Sequence, residues 1–170
     1  MVSTKDILFA VLVISLGVSI GLSIGLYEVT SGSMAPEIET GETVFIFHSS
    51  HDTFISDSGS IIVFKDSLQS GPEKYILHRT VYYAEEGENW VEEVPDNYLL
   101  TQSCETESFC PAPHSGYITR GDANEYYDQS TSISPPVKKD DIIGVHIQTF
   151  EWSLPDWVQN TPKATQNGMT

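Results

Sequence analysis

The sequence predicts a mainly β protein, a β domain standing behind one N-terminal transmembrane helix. Three observations carry that expectation. Residues 7–26 contain no charged side chain. After them, short runs rich in β-branched and aromatic residues follow one another, separated by turn-like clusters such as SDSG, SGPE and EEGE. Outside the apolar run no 3.6-residue period is sustained, and no internal repeat is found.

The apolar run comes first in chain order. At about 1.5 Å per residue a helix over 7–26 spans roughly 30 Å, the hydrocarbon thickness of a bilayer. Lys5 precedes it and acidic sequence follows, which orients residues 1–6 toward the cytoplasm. A cleaved leader is the alternative, since Ser19-Ile20-Gly21 and Gly21-Leu22-Ser23 are small-x-small sites. The run is longer than the roughly 7–15 apolar residues of such a leader, which favours a retained anchor. Gly17, Gly21 and Gly25 recur every four residues, as do Ser15, Ser19 and Ser23. On a helix these form two small-residue ridges on nearly opposite faces, against which a partner transmembrane helix can pack. Gly and Ser are also simply frequent in membrane helices.

Strands are expected at 43–47 (TVFIF), 60–64 (SIIVF) and 75–83 (YILHRTVYY), with weaker candidates at 89–94, 116–119 and 142–150. Residues 27–152 then form an extracytoplasmic domain, within which about 97–115 reads as a long polar insertion. Residues 153–170 read as a polar tail that frays.

The net charge of −16 argues against nucleic-acid binding, because phosphate contacts need clustered Lys and Arg. Recurrent apolar β segments argue against disorder, the other common meaning of acidity. A folded, acid-coated protein suits a saline milieu, where repulsion between carboxylates is screened. Cys104 and Cys110 have no His or Cys companions at zinc spacing, so neither a metal site nor any cofactor is expected. Outside the membrane they can form a disulfide; two buried free thiols are the alternative.

The chemistry-bearing residues fall in three blocks. In SGSMAP, residues 31–36, Gly32 permits a tight turn and Pro36 fixes φ on its far side. Such a turn can present the Ser33 hydroxyl and a backbone N–H in one direction. A serine is inert until a base takes its proton. Of five histidines, His48, His51, His114 and His146 fall in polar loops or on an edge strand, whereas His78 lies inside an apolar strand. There it either packs in the core or faces a cleft. GDANEYYD, residues 121–128, then supplies Asp122 and Asp128. A carboxylate can hold a histidine base in its tautomer, or these oxygens can belong to an Asx turn or a calcium loop.

SGSMAP behind an apolar N-terminal segment, HR within an apolar strand and GDANEYYD in a late loop together resemble type I signal peptidase, in its archaeal and endoplasmic-reticulum branch. The resemblance covers roughly residues 26–150. It implies a signal-peptidase-like antiparallel β catalytic domain and a membrane-bound serine endopeptidase that removes signal peptides from exported preproteins. On it, Ser33 is the nucleophile, and Ser31 with the Ser33 N–H forms the oxyanion hole. His78 stands where bacterial relatives carry a lysine, Asp128 completes the triad and Asp122 supports it. The stretch between His78 and Asp122 is longer than in compact members, and Ala123 stands where Asn is common. Two rivals are a self-cleaving Ser-Lys protease of the repressor type, with Lys65 or Lys74 as base, and an inactive membrane-tethered binding subunit.

Overall fold

The computed structural model describes residues 23–48, 55–66, 68 and 74–150. Six strands form one sheet: β1 (Ser23–Glu28), β2 (Thr43–His48), β3 (Ile61–Lys65), β4 (Tyr75–Ala84), β5 (Gly116–Arg120) and β6 (Ile142–Phe150). Their spatial order is β1-β2-β6-β3-β4-β5, and every neighbouring pair is antiparallel. Register shifts in β2–β6, β3–β6 and β4–β5 interrupt the ladders, the kind of bulge that bends and twists a strand locally.

The unbroken apolar runs have a direct cause. Successive side chains on a strand point to opposite faces, and here both faces are covered. Ile61, Val63 and Leu77 pack with Val44, Ile46, Val29, Met34 and Ile38 on one face. Ile62, Phe64, Ile76, Tyr117, Val137 and Val145 pack on the other. A third cluster gathers Ala84 and Ile118 from the sheet with Trp90, Val91, Val94, Leu99, Ala112 and Tyr127 from the long connections around it.

Four sequence expectations change. The expected span 7–26 overlaps β1 at its end: residues 7–22 lie outside the described residues, whereas Gly25 and Leu26 pair with Ile46 and Phe45. Ser23 and Gly25 therefore leave the proposed helix ridges, because the ladder with β2 supplies their backbone partners. The other ridge positions, Ser15, Gly17, Ser19 and Gly21, lie outside the described residues. Residues 89–94 are not a strand; Trp90–Glu92 is a 3-10 turn whose indole is buried and donates to the Phe109 carbonyl at 2.9 Å. The 97–115 stretch is not merely a polar excursion, for Leu99 and Ala112 are buried beneath it and Cys104 is joined to Cys110 in a disulfide. His146 is on no edge: β6 lies between β2 and β3. His51 and the tail at 153–170 lie outside the described residues. Among the described residues no helix is long and apolar enough to cross a membrane.

Candidate active site

His78 sits on β4 opposite Ile62 of β3, so its ring joins the face occupied by Ile62 and Ile76. Leu77 and Arg79, its neighbours, point to the other side. The ring is buried, and its Nδ1 lies 2.7 Å from Asp128 Oδ2. Asp128 is fully buried as well. Its backbone N–H donates to the Thr119 carbonyl at 2.9 Å, and its own carbonyl accepts from the Ile133 N–H at 2.9 Å. The first of these bonds ties the carboxylate loop to β5, and the second closes the loop on itself. With Nδ1–H committed to the carboxylate, the proton-accepting lone pair falls on Nε2, which is buried and has no hydrogen-bond partner.

The serine turn is pinned by its apolar flanks. Val29, Met34 and Ile38 are buried in the first core cluster, and the Ala35 and Ile38 N–H groups donate back to Gly32 and Met34. Ser33 is bound to the carboxylate loop through its backbone, its carbonyl accepting from the Ala123 N–H at 2.9 Å. Gly121 makes that approach possible, since a Cβ there would lie 2.6 Å from the Ser33 oxygen. The β4–β5 ladder pairs Arg79 with Arg120. One antiparallel step further sets Gly121 beside His78, so the Ser33 backbone lies over the histidine's neighbour.

Ser33 Oγ is 3.2 Å from Ser31 Oγ, which joins the two serines of the expected nucleophile and oxyanion hole. No hydrogen bond links Ser33 to His78, whose Nε2 is bare. In substrate-free sites such a bond commonly tightens only when substrate binds.

Asp122 is not where a second acid for His78 would be. It forms a two-pronged ion pair with Arg79, with Nε–Oδ1 at 2.9 Å and Nη2–Oδ2 at 2.6 Å. Any support that Asp122 gives the site therefore runs through Arg79 and the loop, with no direct bond to the imidazole. The reason is the strand period, because the residue after His78 carries its partner to the opposite face. Asp122 raises the Arg79 guanidinium pKa, chiefly through this hydrogen bond. Arg79 also donates to the Gly59 carbonyl at 3.0 Å. Arg120 holds the same loop by its backbone, donating to the carbonyls of Gly121, Asp122 and Asn124, and stacks over the Tyr98 ring at 3.9 Å.

The chain has only these two arginines, and both are committed to the turn at 121–124. Sequence reasoning missed both roles, although the HR and TRGD segments placed an arginine beside each chemical residue. The calcium-loop alternative also closes, since Asp122 and Asp128 aim at Arg79 and His78. Among the described residues no group of three or more His, Cys, Asp or Glu could hold a metal ion. Lys65 pairs with Tyr75, three ladder steps from the Ile62–His78 pair, or about 10 Å along the strand. An open cleft of about 660 Å³ is lined by Arg79, His146, Ser60, Ile61 and Val145, and includes neither Ser33 nor His78.

Comparison with known proteins finds no family model that matches the chain and no curated protein with significant similarity.

Proposed function

We propose that this chain is a serine endopeptidase that removes signal peptides from exported preproteins at a membrane surface, as the family its motifs resemble does. One observation carries the reading: a buried His78–Asp128 couple with a bare Nε2, joined by a Ser31–Ser33 turn that docks on the same acid-bearing loop. In the proposed reaction His78 Nε2 takes the Ser33 proton as Oγ attacks the carbonyl before the scissile bond. Asp128 stabilises the imidazolium through Nδ1–H, and the Ser31 hydroxyl with the Ser33 N–H receives the oxyanion. His78 then protonates the leaving amine, and water repeats the cycle on the acyl-enzyme.

The rivals fit less well. A binding subunit has no need of a buried histidine–aspartate couple beside a paired-serine turn. A Ser-Lys enzyme needs a lysine where His78 stands. The proposed extracytoplasmic placement of the domain agrees with the disulfide, which persists in oxidising compartments.

The test is cleavage of a model preprotein by the full chain in detergent. Ser33→Ala should abolish processing without loss of fold, since a partly buried turn hydroxyl carries little packing. Retention of more than a few per cent of wild-type cleavage would remove Ser33 as nucleophile.

A further inference from the structure

We propose that Thr119 is a positioning residue of this site, its hydroxyl holding the Asp128 carboxylate in the orientation that faces His78. The kinetic part of the inference rests on the peptidase reading; the geometric part does not.

An ionised carboxylate only accepts hydrogen bonds, and a buried one needs donors to stay charged and fixed. Asp128 has an uneven supply. Its Oδ1 is buried and has no partner. Both side-chain donors converge on Oδ2, where Thr119 Oγ1 and His78 Nδ1 each lie at 2.7 Å. A carboxylate cannot donate, so the single hydroxyl proton of Thr119 must point to Asp128. Without it, the imidazole would be the carboxylate's one side-chain partner, and nothing on the acid's own side would set its rotation.

Thr119 is built to keep that direction. It is fully buried on β5, opposite Thr80 in the ladder. Its β-branched side chain has a stiff χ1. Its N–H donates to Gln129 Oε1 at 2.9 Å, and Gln129 Nε2 is in turn anchored on the Pro135 carbonyl at 3.2 Å. Gln129 is itself fully buried. The residue after the acid thus locks the strand residue that orients the acid.

The test compares Thr119→Val, Thr119→Ser and wild type by two readouts. Steady-state cleavage should show kcat reduced on the order of 10–100-fold in Thr119→Val, with KM little changed and near-complete rescue in Thr119→Ser. Independently of any cleavage, the ¹⁵N spectrum of the His78 ring should report one tautomer, Nδ1–H, in wild type and Thr119→Ser. In Thr119→Val it should report a mixture. Thr119→Ala gives the same comparison if Thr119→Val does not fold. A wild-type kcat and ring spectrum in Thr119→Val would overturn the proposal, and so would a Thr119→Ser protein as impaired as Thr119→Val. If wild type does not cleave, or Ser33→Ala cleaves normally, the peptidase reading falls, and the ring spectra alone still decide whether Thr119 orients the pair.

Discussion

His78 and Arg79 are adjacent in the chain, yet each takes its own carboxylate from one loop, Asp128 and Asp122 respectively. This separation gives the two acids different energetics. Asp128→Asn leaves a side chain that can stabilise the wrong tautomer of His78, with an expected loss in kcat on the order of 10⁴-fold by analogy with other triads. Asp122→Asn weakens only the clamp on the 121–124 turn, where the Ser33 backbone docks, with an expected loss on the order of 10–100-fold. Residues that share a partner couple, and those that do not add. The Asp122→Asn effect should therefore vanish in an Arg79→Met background but multiply with Asp128→Asn, as measured by kcat of the double mutants. A larger loss from Asp122→Asn than from Asp128→Asn would reverse the assignment. At this scale the sequence was partly legible. Residue types and blocks were readable, and only the family resemblance set Asp128, rather than Asp122, beside His78. The partner of Asp122 was not, because six positions of chain separation say nothing about which face of a sheet a loop residue meets.

Among the elements, the strands with unmistakable β composition were legible: β2, β3, β4, β5 and β6 all fall on predicted segments. The first strand was not, because an apolar run without charges looks alike as membrane helix and as strand until its partner is known. Residues 89–94 misled for a related reason. Their apolar positions serve a hydrophobic cluster beneath the insertion rather than a sheet face. That cluster reaches the candidate site, for the Trp90 ring meets Tyr127 edge-on, and Tyr127 directly precedes Asp128. The Tyr127 hydroxyl donates to the Pro95 carbonyl at 3.0 Å, and burial pushes its pKa up to about 12. The insertion therefore acts as a buttress for the acid. Trp90→Ala should destabilise the fold by about 3–5 kcal/mol and lower kcat as Asp128 loosens. Replacing both Cys104 and Cys110 by Ser should cost about 2 kcal/mol, the loop-closure term for so short a ring, and leave kcat intact. Denaturant melts and kinetics on the two variants check this. Equal kcat losses in both would mean that the insertion acts only through overall stability.

For the whole molecule the governing quantity is charge. Acidic residues number 24 against 8 basic ones, and the two arginines are already occupied at the site. Most carboxylates must therefore face others across solvent without a cation between them. Their repulsion opposes the compact state, and it is screened over about 10 Å at 0.1 M salt but only about 3 Å at 1 M. The unfolded chain spreads the same charges further apart and gains less from screening. Salt should accordingly stabilise the folded domain, with melting temperature rising from dilute to molar NaCl and levelling once the screening length falls below the spacing between carboxylates. On the proposed function, cleavage should tolerate the same range, because the His78–Asp128 pair is buried and screened far less than surface charges. Sucrose at matched osmolality separates screening from general exclusion of solute, since it leaves the charges unscreened and should raise the melting temperature far less. A melting temperature that is flat with NaCl, or that sucrose raises equally, would mean that the acidic surface has no part in stability.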